Sequence, residues 1–253
     1  MSLLSLFPPI AHRGLHDAGC GRIENTASAF EAAIAGRYAI ETDIQAAMSG
    51  EPVVFHDERL DRLTGSSGCV ADRSADELRK IPLRGTDDRI LTLAELLELV
   101  AGRTGLFLEI KNAGCADRTL ERRIAALLAD YPGPASVMSF DPGSVAAMRA
   151  LAPQVPRGLS AMRFGRLKGR GLPAALRFRL THMLDIPNVK PDFLTYEVND
   201  LAVMGHALRR RHPELPIITW TVRTAEERRK AMQFADGMIF EGFRPNVPPV
   251  QLA

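Results

Sequence analysis

The sequence predicts an α/β fold, a closed (β/α)8 barrel of the TIM type with a small insertion after the second strand. Three observations predict it. Short β-branched or apolar runs alternate with longer segments of helical period, the pattern of βα units around a parallel sheet. Eight such runs are present, enough to close a barrel. The length of 253 residues suits one such barrel without a second core.

The runs fall at 9–12, 39–44, 106–111, 135–140, 157–160, 193–196, 217–222 and 237–240, with 157–160 the weakest. Helix starts lie between them. Thr26 precedes an alanine-rich segment, Thr92 stands three residues before Glu95 at capping-box spacing, and Thr224 precedes Ala225-Glu226-Glu227. Residues 51–90 break the rhythm. Val53-Val54-Phe55 follows the second run too closely for a helical crossover, so it reads as a hairpin return leading into a small inserted subdomain at one rim. Residues 1–253 are therefore expected to form one barrel domain.

With 46% hydrophobic and 25% charged residues the chain carries the balance of a folded, soluble protein. The net charge of +2, from 32 basic and 30 acidic side chains, gives no support to a nucleic-acid partner. Cys20, Cys69 and Cys115 are too few and too widely spaced for a disulfide framework or a zinc motif. The apolar start lacks the basic region of a secretory signal, and no apolar run reaches the ~18 residues of a membrane span. A cytoplasmic location is expected. Residues 162–190 are basic, with Arg163, Arg166, Lys168, Arg170, Arg177 and Arg179 beside Leu172, Leu176 and Phe178. The segment reads first as a solvated face, and second as an amphipathic lid making peripheral contact with anionic lipid.

Strand alternation puts Glu41 and Asp43 on one face, and Glu109 and Lys111 on one face, at the ends of the second and third runs. Barrel enzymes gather functional groups at those ends. Three adjacent carboxylates need a compensating cation, and hard oxygen donors point to Mg2+ or Ca2+. The alternative is a salt-bridge layer satisfied by Lys111 and Arg13. His12-Arg13-Gly14 ends the first run, and His56-Asp57 closes the hairpin return. Two histidines suit a reaction needing one acid and one base, and an arginine fork suits phosphate. Asp57 either orients a histidine or caps a turn. His16, His182, His206 and His212 read as surface or packing residues.

In this order along the chain, His12-Arg13-Gly14, Glu24-Asn25-Thr26, Ile40-Glu41-Thr42-Asp43, Val53-Val54-Phe55-His56-Asp57, Leu60-Asp61-Arg62, Leu108-Glu109-Ile110-Lys111, Ser139-Phe140, Trp220-Thr221-Val222 and Asp236-Gly237 resemble the glycerophosphodiester phosphodiesterase family. The resemblance implies a (β/α)8 barrel that hydrolyses glycerophosphodiesters to sn-glycerol 3-phosphate and an alcohol. It implies that Glu41, Asp43 and Glu109 bind one divalent cation, Mg2+ or Ca2+, with Glu24 joining or supporting them. It also implies that His12 and His56 are the acid/base pair, that Arg13 and Lys111 contact phosphate, and that Trp220 lies near the glycerol end. Two departures stand out: Ile23 replaces the usual proline, and Phe240-Glu241-Gly242-Phe243-Arg244-Pro245 replaces a Thr-Asp-x-Pro ending. Rival readings are a phospholipase D or sphingomyelinase-like lyase acting at membranes, and a noncatalytic glycerol-phosphate binding module.

Overall fold

A computed structural model describes residues 8–112, 116–165 and 171–247. Eight parallel strands close into a barrel: β1 (Ile10–Ala11), β2 (Ala39–Ala46), β4 (Leu106–Ile110), β5 (Ala135–Ser139), β6 (Arg157–Ala161), β7 (Phe193–Glu197), β8 (Ile217–Val222) and β9 (Gly237–Phe240). Closure runs through β1, which pairs with β9 on one side and β2 on the other. All eight predicted runs are strands, although β1 is two residues long. The expected hairpin return is β3 (Pro52–Val54), antiparallel to the far half of β2.

Alternation fixes what each face of the barrel holds. Ile10, Ala39, Phe107, Met138, Phe193, Ile218 and Ile239 form one apolar layer inside it. Gly158 on β6 makes room there, since a Cβ would lie 2.3 Å from the Phe193 ring. Two residues further along the strands, the same face presents Glu41, Glu109, Thr195 and Trp220. The outward residues Ile40, Ile44, Leu106, Leu108 and Ile110 pack instead against the surrounding helices.

Those helices begin where the sequence signals them. The Thr26 side chain accepts from Ala29 N at the start of α1 (Ala27–Ala35). Thr92 and Glu95 form a reciprocal capping box on α3 (Leu93–Val100), and Thr224 with Glu227 does so on α9 (Ala225–Phe234). Each cap satisfies amide donors that the first helical turn leaves open. The inserted segment contains the short helix α2 (Ala75–Leu78) and has its own apolar cluster of Val53, Phe55, Leu60, Val70, Leu78, Ile81, Leu83 and Ile90. Ile23, which stands in place of a proline, packs on that cluster.

The remaining helices are α4 (Thr119–Ala129), α5 (Pro142–Leu151), α6 (Ala174–Thr181), α7 (Ile186–Val189) and α8 (Val198–Arg211). No residue of α6 is buried, and Phe178 is 59% exposed. Arg179 pairs with Asp185 rather than lying free, while Arg166, Lys168 and Arg170 of the basic segment lie outside the described residues. Cys115 lies outside them as well; Cys20 and Cys69 are free thiols. Among the described residues, no helix is long and apolar enough to cross a membrane.

Candidate active site

The site lies at the C-terminal ends of the strands, where backbone hydrogen bonds lock each loop start to its neighbour. His12 N donates to Phe240 O on β9 at 3.0 Å, and Gly14 N donates to Glu41 O on β2 at 3.2 Å. Gly14 adopts φ +79°, and a Cβ there would lie 2.9 Å from the backbone of Ala29, so the loop can pass α1 this closely only with glycine. Phe55 N donates to Asp43 O at 3.1 Å, which carries His56 to the same rim. The Gln45 amide holds that turn by donating to Phe55 O at 2.7 Å and Asp57 O at 2.8 Å.

Glu41, Asp43 and Glu109 place their carboxylate oxygens within 4.8 Å of one another. Glu41 and Asp43 are buried. Burial, reinforced by the neighbouring Asp43 and Glu109 charges, pushes the Glu41 carboxyl well above the usual range, against the pull of Arg13. Burial also opposes charge on Asp43, but Lys111, Arg13, His56 and the Asn25 amide outweigh it and hold that carboxyl well below its usual range. Lys111 Nζ lies 3.0 Å from Asp43 and 2.8 Å from Glu109, and Asn25 Nδ2 donates to Asp43 at 2.9 Å. The protein's own cations thus cover Asp43 and Glu109 and leave Glu41 short of positive charge. An all-oxygen trio with that deficit fits a hard dication.

Arg13 is built into the same cluster. Its backbone N–H donates to Glu41 at 3.0 Å and its guanidinium donates to Glu24 at 2.6 Å. Its Nε lies 3.2 Å from Asp43, close enough for an ion pair but outside hydrogen-bond geometry. Burial opposes its charge, yet Asp43, Glu24 and Glu41 together raise its pKa. Glu24 stands outside the three-carboxylate cluster. It joins Arg13 to Arg62 of the inserted segment, which reaches it at 2.7 and 2.9 Å.

Each histidine is held through Nδ1 by a carboxylate. His56 Nδ1 meets Asp57 Oδ1 at 2.7 Å, and Arg62 donates to both Asp57 oxygens. The Arg62 hydrogen bonds, outweighing burial and aided by His56, bring Asp57 down to about 2. Asp57 therefore orients a histidine rather than capping a turn. His12 Nδ1 meets Glu241 Oε2 at 2.6 Å, and Arg223 holds the same carboxylate at 2.9 and 3.1 Å. Burial works against the charged Glu241, but His12 and Arg223 hold its carboxyl well below the usual range. On the other side of the His12 ring, Nε2 lies 4.0 Å from Glu41.

Glu241 and Arg223 are the site residues that sequence reasoning missed. Glu241 was visible only as a departure in the chain ending. Its signal was register, since it sits two residues beyond the inward-facing Ile239. His16, read as surface or packing, instead places Nε2 3.9 Å from Glu241. His206 and His182 pack against Phe234 and Phe178, and His212 ends α8.

Two adjoining cavities open on this cluster. One, of about 560 Å3, fills the barrel mouth between His12, Arg13 and Lys111 on one side and Phe140 and Trp220 on the other. Trp220 stacks edge-on against Phe140 at 5.4 Å while remaining partly exposed, so it serves both packing and the cavity wall. The second, of about 730 Å3, runs along the inserted segment past Asp57, Glu58 and Arg62. His56, Glu109, Lys111 and Phe140 line both. A substrate with two arms joined at a central anion would fit this plan.

The sequence matches the Glycerophosphoryl diester phosphodiesterase family over residues 12–244. It is 32% identical over 179 residues to YhdW of Bacillus subtilis (strain 168), across 67% of this chain and 72% of that protein. It is 32% identical over 160 residues to a glycerophosphodiester phosphodiesterase of Caldanaerobacter subterraneus, across 59% of this chain and 65% of that one. The matched segments thus span 65% to 72% of these relatives' lengths. In fold it resembles an Oleispira antarctica phosphodiesterase solved with its product sn-glycerol-3-phosphate, with a TM-score of 0.77, 21% identity and 96% of both chains covered. A Thermotoga maritima glycerophosphodiester phosphodiesterase gives a TM-score of 0.68 at 24% identity over 91% of this chain and 92% of that one. The family match takes in every strand end that carries the cluster, and the chain belongs to the glycerophosphoryl diester phosphodiesterase family.

Proposed function

We propose that the chain hydrolyses glycerophosphodiesters to sn-glycerol 3-phosphate and an alcohol, with Glu41, Asp43 and Glu109 holding one Mg2+ or Ca2+. The observation that carries this reading is the pair of carboxylate-held imidazoles, His12–Glu241 and His56–Asp57, on the wall of a cavity that also presents Arg13, Lys111 and three metal-competent carboxylates. When bound, the cation offsets charge building on the phosphoryl oxygens.

The chain's own residues supply the rest. Arg13 and Lys111 face the cavity as phosphate contacts, and each is kept fully charged by the carboxylates behind it. With Nδ1 occupied, each histidine handles protons through Nε2. In the first step one imidazole takes the proton of the glycerol hydroxyl next to the phosphate as its oxygen bonds phosphorus. The bond from phosphorus to the alcohol oxygen breaks, and the other imidazole gives that oxygen a proton. Water then opens the cyclic phosphate with the proton roles reversed. Phe140 and Trp220 provide an apolar wall for the glycerol arm, and the cavity along the inserted segment takes the departing alcohol.

Release of sn-glycerol 3-phosphate from a panel of soluble diesters tests the reading. Activity should vanish with chelator, return with Mg2+ or Ca2+, and fall about 10²- to 10⁴-fold in His12→Ala. Undiminished turnover in chelator or in that variant would overturn it. A rapid quench that finds no cyclic phosphate would replace the internal nucleophile with water. A membrane-acting lyase draws on Phe178 and Leu184, exposed near Arg177. Turnover on lipid vesicles but not on soluble diesters would favour it. The free thiols of Cys20 and Cys69 support a cytoplasmic setting.

A further inference from the structure

We propose that His12 Nδ1, His16 Nε2 and Glu241 Oε2 form a second cation site, one that takes a transition-series dication such as Zn2+ and stops His12 from accepting a proton. The three ligand atoms lie within 4.8 Å of one another. His12 Nδ1 is 2.6 Å and His16 Nε2 is 3.9 Å from the same Glu241 oxygen. His12 follows β1, His16 comes four residues later in the loop, and Glu241 follows β9. Two imidazoles and a carboxylate are the donor set of Zn2+ with one open position, whereas the all-oxygen trio of Glu41, Asp43 and Glu109 suits Mg2+ or Ca2+. The two sites flank opposite nitrogens of one ring, with Nδ1 toward Glu241 and Nε2 toward Glu41.

Access supports the assignment. A separate cavity of about 360 Å3 reaches His16 and Glu241 from the side of Asp17 and Arg22, while His12 and Glu241's partner Arg223 line the barrel mouth. An ion can therefore arrive without passing the substrate. Arg223 donates to both Glu241 oxygens, which uses two of about four acceptor positions. The ion takes the place of the proton now shared between His12 Nδ1 and Glu241 Oε2.

The consequence follows from imidazole chemistry and rests on the proposed function. A neutral ring carries one proton, so metal on Nδ1 leaves that proton on Nε2. His12 can then donate through Nε2 but cannot accept, and a reaction that needs both stops.

The full chain, saturated with Mg2+, is titrated calorimetrically with zinc chloride, alongside His16→Ala and His16→Asn. One zinc should bind the wild type, and both variants should weaken it at least about tenfold. Equal affinity in wild type and variants, or no zinc bound to the wild type, would overturn the site. Melting curves establish that the variants are folded. In turnover of soluble glycerophosphocholine, zinc should lower the maximal rate, and neither more substrate nor more Mg2+ should restore it. Both variants should keep the wild-type rate without zinc and resist inhibition about tenfold better. Inhibition reversed by Mg2+ equally in all three proteins would place zinc on Glu41, Asp43 and Glu109 and overturn the proposal. If no protein turns over the diester, the proposed function fails while calorimetry still decides the site.

Discussion

His56 receives its carboxylate from the next residue along the chain, whereas His12 receives its own from 229 positions away. The two pairs make the same bond to Nδ1 on different scaffolds. Asp57 is placed by the hairpin return and by Arg62 of the inserted segment. Glu241 is placed by barrel closure, since β1 and β9 must pair before it can reach His12, and Arg223 beyond β8 holds its other edge. One proton site therefore depends on local turn geometry and the other on the completed barrel.

The largest expected effect that separates them comes from Glu241→Gln against Asp57→Asn. An amide in place of Glu241 loses the charge that keeps a proton on His12 Nδ1 and also frees Arg223. Turnover should fall about tenfold to a hundredfold. Asp57→Asn should cost less, because Gln45 still fixes the backbone of that turn from below. Rates against pH for both variants provide the measurement. Equal losses would mean that scaffold does not distinguish the pairs.

A smaller effect is expected from Arg62→Met. Arg62 is about half exposed, so its ion pairs contribute below about 1 kcal/mol to stability. Its larger role is to brace Glu24 behind Arg13 and Asp57 behind His56 with one guanidinium. Arg62→Met should therefore lower turnover a few-fold with a small change in melting temperature, roughly within 4 °C. A melting shift without a change in turnover would assign Arg62 to the inserted segment's stability alone.

The same contrast explains what the sequence made legible. Glu41, Asp43, Glu109 and Lys111 were readable because period-two alternation fixes a shared face from local sequence. His56 was readable because a hairpin return fixes where its strand ends. Glu241 was not, because its significance depends on which strands adjoin at closure, and spacing along the chain carries no such information. The contact of His16 with Glu241 was not legible for the same reason. The neighbours of His16 in sequence are Leu15 and Asp17, but the residue that gives it meaning is Glu241. The length of β3 and the separate core of the inserted segment likewise depend on packing that no single run reveals.

The smallest effect concerns acid stability. Asp57 is lowered to about 2 from an ordinary 3.8, so its charged contacts favour the folded state most fully above pH 3.8. As pH falls from there toward 2 the folded protein also takes up the proton, and that contribution disappears. Asp57→Asn never has it. The variant should melt below the wild type at pH 6, and the gap should close between pH 4 and pH 2. Its size should stay below about 1 kcal/mol, since Asp57 is partly open to solvent and Arg62 is half exposed. Glu241→Gln should show the same sign, because Glu241 is also held below its usual range. Melting curves across this window compare the two pairs without reference to turnover. A gap for Asp57→Asn that stays constant down to pH 2 would show that its ion pair with Arg62 contributes nothing to folding.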